Sequence, residues 1–279
     1  MGLKDIKIRM QAIKKTASIT QAMHNIALSK IRKSTDLRVQ SETFVEKIND
    51  ILHYASHRID EENRLVTDNG SQKRLYILIT SDRGLAGSYH NQLFKAFLEE
   101  IKDMNKDDYM VFVLGKKGYY FALKRKLPMI NHEIIYHRDD ITTMYFRHYS
   151  QLIKETFMTK DVDEVILFHN HYINTATQHV RKKKLLPVIF EDKPVKETYI
   201  YDQDPAEILD QTINIYIESS IFAALADAKL SEHAARMVAM KNATDNANEI
   251  VEKLNTLYHR ARQQEITSEL IDVVNGSNV

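Results

Sequence analysis

The turn Ser81–Ser88 has the setting of a loop that holds phosphate. It follows the apolar run LYILI at 75–79 and precedes a helical pattern that begins near Tyr89. Backbone N–H groups at the start of a helix bind phosphate, and glycines let the backbone approach it closely. This turn contains only Gly84 and Gly87 and has no Lys-Ser/Thr pair. We therefore expect a structural turn and no bound cofactor, with nucleotide binding as the less favoured alternative.

Two histidines, His169 and His171, are spaced for one face of a strand, because strand side chains alternate between faces. Two imidazoles are a possible start of a metal site, but no third histidine or carboxylate pair lies nearby in the sequence. The chain has no cysteine, which excludes disulfides and Cys-based zinc sites. We expect a polar strand end here, and the metal site remains the alternative.

The basic run Arg181–Lys184 is the third candidate. Such a run contacts acidic lipid or a protein partner, or it is simply solvated. No aromatic residues alternate with it and the net charge of the chain is only +1, so a nucleic-acid partner is not expected. No Ser/His/Asp or paired-carboxylate arrangement emerges from the sequence. We predict no catalytic residues and do not expect an independent enzyme.

The distribution of glycine and proline determines which elements carry these motifs. Residues Leu3–Asn69 and Ala206–Asn275 contain neither breaker, and both segments have helical periodicity. Between them, short apolar runs alternate with helical patterns, which is typical of a parallel, Rossmann-like sheet. We predict an α/β protein in which a long antiparallel coiled coil of the N- and C-terminal helices carries an inserted Rossmann-like domain. The predicted domains are residues 1–69, 70–205 and 206–279.

The coiled coil is predicted from two apolar seams with steps of three and four residues. The first begins Leu3, Ile6, Met10, Ile13 and Ala17, weakens between Lys14 and Asp36, and resumes as Leu37, Ser41, Phe44, Ile48, Ile51, Ala55 and Ile59. The second runs Met237, Met240, Thr244, Ala247, Val251, Leu254, Tyr258 and Ala261. Because the two seams lie at opposite ends of the chain, they must pair antiparallel within one molecule, or the protein must dimerise. Either Asp202 or Asp204 is expected to cap the last helix ahead of Pro205.

The two helices also carry opposite charge. Residues 1–40 have nine Lys or Arg against two Asp, a net of +7, whereas residues 206–279 have six basic and eleven acidic residues, a net of −5. Helices of opposite sign attract when they lie side by side. No run approaches the ~18 apolar residues that cross a bilayer, so any membrane role is expected to be peripheral.

Several motifs, in order along the whole chain, resemble one family. They are the C-terminal Ala235–Ala247 (ARMVAMKNATDNA), Arg260–Gln263 and Ile266–Leu270, the N-terminal Ile6–Ile13 and Ile19–Met23, and the central turn Ser81–Tyr89. The chain resembles the gamma subunit of the F-type ATP synthase. The resemblance implies a non-catalytic rotor shaft, with alpha and beta subunits, the epsilon subunit and the membrane c-ring as partners. It also implies a peripheral position on the cytoplasmic side of the cell membrane.

The family resemblance also implies positions of contact with the surrounding ring. By motif these are Met23, Lys30, Arg236, Gln263, Thr267 and Glu269. Plain coiled-coil packing is the alternative for Met23, and an exposed helix end is the alternative for Gln263, Thr267 and Glu269. Differences from the family at Ile26–Lys30 and at Gly276–Val279 leave open a divergent gamma-like subunit of a specialised F1-like ATPase. The other alternative is a coiled-coil adaptor with a Rossmann-like head.

Overall fold

A computed structural model describes residues 2–58, 63–70, 72–137, 143–159, 162–190 and 204–276. The helices and strands, in chain order, are α1 (Leu3–Ser56), β1 (Arg74–Ile79), α2 (Tyr89–Glu100), β2 (Tyr109–Leu114), α3 (Lys116–Arg125), α4 (Arg147–Met158), β3 (Glu164–Tyr172), β4 (Gln178–Leu186) and α5 (Pro205–Gly276). A short 3-10 helix, Thr143–Phe146, leads into α4.

The four strands form one sheet in the order β2-β1-β3-β4. β1 pairs parallel with both β2 and β3, and β4 pairs antiparallel with β3 along the edge. Parallel neighbours joined through helices are the Rossmann-like arrangement that the sequence predicts. Beside β2, Ile135 makes an isolated bridge to Leu114.

Both faces of the sheet are covered at β1 and β2, which is consistent with the continuous apolar runs of these strands. Tyr76 and Leu78 point to one face and pack with Leu93 and Phe97 of α2 and Ala122 of α3. On the other face lies a larger core to which the sheet, α1, α4 and α5 all contribute. Its members include Leu52, Ile77, Phe112, Ile153, Leu209, Ile217 and Leu225.

The first helix is shorter than predicted. α1 ends at Ser56 and not at Asn69, and the described residues that follow, 63–70, form turns. Arg64 is held away from a continued helix, since its guanidinium donates to the carbonyl oxygens of Phe157 (3.0 Å) and Val162 (2.8 Å). These bonds tie the segment to the end of α4, although the sequence has no glycine or proline to mark a break.

The predicted seam of α1 is correct in part in its second half. Ser41, Ile48 and Ala55 are buried as predicted, but Val45 and Leu52 are buried in place of Phe44, which is 51 % exposed, and Ile51, which is half-buried. The core therefore selects a helix face displaced by one residue from the predicted one at this point. Ile59, the last predicted member, lies outside the described residues.

The start of α5 follows the predicted capping pattern. Pro205 is the first helical residue, and the Asp204 carboxylate accepts the N–H of Ala206 at 2.7 Å. Asp204 thus satisfies a backbone donor that the first turn leaves without a partner. The alternative cap, Asp202, lies outside the described residues.

The chain divides into two compact units. One comprises Met1–Ser29 with Arg236–Val279, and the other comprises Lys30–Ala235. Each long helix contributes a segment to both units. The sequence division at 69 and 205 follows the order of the elements, and as a set of domain boundaries it stays a prediction.

Candidate functional site

Polar side chains of the turn Ser81–Ser88 form hydrogen bonds that link the turn to neighbouring elements. The Asp82 carboxylate accepts the N–H of Lys116 (2.9 Å) at the start of α3 and the N–H of His137 (3.1 Å). The Ser81 hydroxyl donates to the Arg83 carbonyl oxygen and contacts His90 Nε2, both at 2.7 Å. These contacts give Ser81 and Asp82 structural roles, which is what the interpretation as a structural turn expects.

Glycine is needed where α3 approaches the end of β1. Gly115 has φ of +94°, and a Cβ there would lie 2.5 Å from the carbonyl oxygen of Thr80. The Thr80 hydroxyl donates to Leu114 O (2.9 Å) and accepts the N–H of Gly118 (2.8 Å). One buried threonine therefore joins β1, β2 and α3 at the carboxyl edge of the sheet.

The two histidines of β3 meet a carboxylate from a distant part of the sequence. His169 Nε2 lies 3.2 Å and His171 Nδ1 lies 2.7 Å from the same oxygen, Asp227 Oδ2. The second oxygen, Oδ1, accepts the N–H of Tyr172 (3.1 Å) and lies 3.2 Å from Arg38 Nε of α1. We name these five residues the Asp227 node.

The node has the geometry of a hydrogen-bond network. Both imidazoles donate to one oxygen, and no group of at least three His, Cys, Asp or Glu side chains in the described part of the chain is arranged to hold a metal ion. Burial alone would raise the pKa of Asp227, but the hydrogen bonds from His169 and His171 outweigh burial and lower it. Burial lowers the pKa of His169, against the opposing effect of Asp227. At neutral pH the node therefore contains an ionised Asp227 and a neutral His169.

The basic run Arg181–Lys184 lies on the edge strand β4. Lys182 bonds Glu100, and Lys184 bonds Glu164, so alternate members of the run hold acidic residues of neighbouring elements. Arg181 and Lys183 lie on the other side, which is the consequence of strand alternation. The run is thus divided between two faces of one strand.

In the first unit, the segments of α1 and α5 pair through a mostly apolar seam. Met240, Thr244, Ala247 and Leu254 are buried, as predicted. The hydroxyls of Thr20 and Thr244 lie 2.6 Å apart, and His24 Nδ1 donates to the Met237 carbonyl oxygen at 3.0 Å. Residue numbers rise along α1 as they fall along α5, so the pairing is antiparallel and lies within one chain.

The predicted contact residues fall in separate places. Met23 is half-buried beside the seam, and Arg236 is buried, both in the first unit. Lys30 is half-buried in the second unit. Gln263, Thr267 and Glu269 are exposed near the end of α5. With Thr20 level with Thr244, Met23 is separated from Gln263 by roughly 30 Å along the helix at 1.5 Å per residue.

The C-terminal part of α5 extends without a covering partner helix among the described residues. Every residue from Arg262 to Val273 is exposed. An apolar stripe with helical spacing runs through it, with exposed fractions of 45 % at Ile266, 61 % at Leu270 and 68 % at Val273. We call Arg262–Val273 the tip. Exposed apolar stripes of this kind mark surfaces that another protein covers.

Comparison with known proteins identifies the family. The ATP synthase family model matches residues 2–279. The chain belongs to the ATP synthase family. The resemblance to the gamma subunit, drawn from the motifs at both ends of the sequence, is therefore confirmed.

Solved structures from this family have the same fold. Two chains of the Euglena gracilis mitochondrial ATP synthase are similar. One, from the rotor, has a TM-score of 0.66 at 18 % identity, covering 95 % of this chain and 98 % of its own. The other, from the OSCP/F1/c-ring assembly, has a TM-score of 0.72 at 19 % identity, covering 99 % and 93 %. A chain of the Tetrahymena thermophila mitochondrial ATP synthase central stalk and c-ring has a TM-score of 0.63 at 21 % identity, covering 81 % and 99 %.

The Asp227 node is the feature that sequence reasoning missed. A local signal existed, because Asp227 lies within the largely apolar stretch Ile221–Leu230 of α5. A buried carboxylate needs partners that compensate its lost hydration. Its partners, Arg38 and the β3 histidines, lie far away in sequence, and the fold brings them together.

Proposed function

We propose that this chain is the central rotor shaft of an F1-type ATP synthase and couples rotation to catalysis on surrounding subunits. It contributes no catalytic residue of its own. The observation that carries the proposal is the tip, an exposed single helix with an apolar stripe, in a chain of the ATP synthase family. An exposed single helix of this kind is stabilised when surrounding subunits bury its apolar stripe.

The partners in this proposal are the alpha and beta subunits around the shaft, with the epsilon subunit and the c-ring at its other end. Solved structures with the same fold come from a rotor, from an OSCP/F1/c-ring assembly and from a central stalk with its c-ring. No helix among the described residues has the length and apolar content to cross a bilayer. We propose a peripheral position on the cytoplasmic side of the cell membrane, held there through the partners.

Coupling follows from the asymmetry of the shaft. An antiparallel helix pair presents a different surface in each direction, so subunits around it experience different contacts at any one angle. Rotation then changes which conformation of each catalytic subunit has the lower free energy, which is a population shift. In this proposal Met23, Lys30 and Arg236 contact the ring along the shaft, and Gln263, Thr267 and Glu269 contact it at the tip.

The exposed side of α1 has a composition that suits rotation against a partner surface. Between Lys14 and Asp36 it carries Lys, Ser, Thr and Asn among scattered apolar side chains. Contacts that are polar and dispersed hold a rotating element less firmly than one continuous apolar patch would. The positive charge of residues 1–40 adds a long-range attraction to acidic partners that does not depend on one fixed angle.

The test is reconstitution with purified alpha and beta subunits of the same source. The chain alone is expected to hydrolyse no ATP, and the three-component mixture is expected to assemble and hydrolyse it. Rotation of a bead attached to the chain, above an immobilised alpha-beta ring, then measures coupling directly. A stable homodimer that binds neither alpha nor beta subunits would contradict the proposal and favour the coiled-coil adaptor.

A further inference from the structure

A cavity of about 250 Å³ lies within the second unit, between α1, α5 and the edge formed by β3 and β4. Its polar lining consists of Glu42, Glu46, His169, Arg181, Lys183, Ser220 and Asp227. The volume is far above the ~15 Å³ that a single water needs. The Asp227 node forms one wall, and none of the contacts described for the shaft or the tip involves this space.

Two cations line the cavity outside any ion pair of the described ranges. Arg181 and Lys183 are alternate residues of β4. Their neighbours Lys182 and Lys184, on the opposite side of the strand, bond Glu100 and Glu164. Burial lowers the pKa of Lys183, the nearby Arg181 lowers it further, and Glu42 opposes both effects. An anion beside Lys183 would act in the same direction as Glu42.

Two of the three acidic residues that line the cavity are hydrogen-bonded by other residues. Glu42 accepts Nε and one terminal nitrogen of Arg38, each at 3.3 Å. Asp227 is bound on both oxygens within its node, which shares the same Arg38. Glu46 is exposed at the rim. Arg181 and Lys183 are the two cations of the lining, and an anion between them would not have to displace an ion pair.

One buried ring atom specifies what the anion must carry. His169 is 3 % exposed, and its Nδ1 has no hydrogen-bond partner among the described residues. Its other nitrogen, Nε2, donates to the Asp227 carboxylate, because a carboxylate only accepts. In the neutral ring Nδ1 is then an acceptor. A ligand that satisfies it must bring a donor.

We propose that this cavity binds a small oxyanion that carries a hydroxyl, with hydrogen phosphate as the simplest example. Its anionic oxygens accept hydrogen bonds from Arg181 and Lys183, and its hydroxyl donates to His169 Nδ1. The bound oxyanion bridges β3 and β4 where α1 and α5 pack on the sheet edge. It therefore stabilises the packing of both helices on the sheet. The proposal rests on the geometry of the cavity and does not depend on the rotor role.

The experiment is isothermal titration calorimetry of the full chain with inorganic phosphate, at constant ionic strength set with chloride. One saturable site is expected. Sulfate, which carries no proton at neutral pH, is expected to bind about tenfold more weakly, since a hydrogen bond to a buried group contributes on that order. Equal affinity for sulfate and phosphate would contradict the assigned role of His169.

Variants locate the site. Arg181→Gln and Lys183→Met are each expected to weaken phosphate binding about tenfold, because each removes a charge-assisted hydrogen bond. Lys182→Met is the matched control, since it removes the adjacent cation from the opposite side of β4, and its phosphate affinity is expected to stay within about twofold. Circular dichroism verifies that each variant is folded. Equal weakening by all three variants would show a diffuse charge effect and overturn the proposal.

A last arm distinguishes free phosphate from the phosphate groups of a nucleotide. ADP is titrated under the same conditions, alone and in competition with phosphate. Binding of phosphate with no competition from ADP supports a site for a small free oxyanion. Binding of ADP without measurable binding of phosphate, or no saturable heat with phosphate at millimolar concentration, would overturn the proposal.

Discussion

Arg38 Nε of α1 and Asp227 Oδ1 of α5 lie 3.2 Å apart in the second unit, where the Asp227 side chain is 3 % exposed. The same carboxylate also holds two histidines and a backbone N–H of β3. One buried side chain thus connects the first helix, the last helix and the sheet. A carboxylate with four partners is costly to disturb, because removing it leaves buried donors without acceptors.

The substitution Asp227→Asn tests this connection at constant size. Asparagine keeps one acceptor oxygen and presents an NH₂ group toward donors, so the node loses both its charge and part of its hydrogen bonding. We expect the free energy of unfolding to fall by about 3 kcal/mol, typical of a broken buried ion pair. Urea unfolding followed by circular dichroism measures it. Asp210→Asn is the control on the same helix, since Asp210 is exposed and bonds Lys154, and a loss under about 1 kcal/mol is expected there.

Stability is also expected to fall on mild acidification. The pKa of His169 is below its ordinary value of 6.5 in the folded state, so the unfolded chain takes up this proton first as pH falls. The stabilisation is complete above pH 6.5 and is lost as pH falls from there toward the folded pKa. The lowered pKa of Asp227 adds a second loss below its ordinary value of 3.8. Urea midpoints between pH 7.5 and 5 measure the first loss, and His169→Gln is expected to flatten it.

Much of the fold follows from local features of the sequence. The absence of breakers predicts both long helices, and the continuous apolar runs at 75–79 and 110–114 predict β1 and β2. The features that the sequence did not predict depend on residues that lie far away along the chain. After α1 ends at Ser56, Arg64 binds backbone atoms of residues some 95 positions away, and Val45 takes the place of Phe44 in the core, where distant elements pack on that face. The Asp227 node could not be predicted for the same reason, since local periodicity carries no information about the residues that Asp227 contacts.

The hydroxyl pair of Thr20 and Thr244 is expected to couple the two helices of the first unit. Each hydroxyl also lies within hydrogen-bond distance of a carbonyl oxygen of its own helix. The two hydroxyls have two protons between them, so one donates to its carbonyl oxygen while the other links the pair at 2.6 Å. Thr20→Val and Thr244→Val each leave one hydroxyl facing an apolar neighbour, whereas the double variant leaves none. We expect a coupling energy of about 1 kcal/mol in a double-mutant cycle on thermal unfolding. Strict additivity would contradict this account.

Gly115 is expected to tolerate no side chain. Alanine there would combine a left-handed φ of +94° with a Cβ only 2.5 Å from a backbone oxygen of Thr80, so β1 and α3 must separate. Gly115→Ala is expected to cost more than about 2 kcal/mol in urea unfolding. Gly70→Ala is the matched control, because Gly70 has φ of +74° but nothing within 4 Å of a Cβ, and it reports conformational strain alone at about 1 kcal/mol. Similar losses for both variants would exclude the close approach as the cause.

The apolar stripe of the tip provides a test of assembly that is independent of the stability of the free chain. Leu270 is 61 % exposed, so Leu270→Ser is expected to change the free energy of unfolding by under about 0.5 kcal/mol. If partner subunits cover the stripe, the same change removes about 2 kcal/mol of apolar burial from the complex. Affinity for the alpha-beta ring, measured by titration of labelled chain, is then expected to fall by more than about tenfold.

Lys253→Ala is the control on the same helix, since this exposed lysine pairs with Glu249 one turn away and its substitution leaves the stripe intact. Unchanged ring affinity in Leu270→Ser would mean that the stripe is not the covered surface.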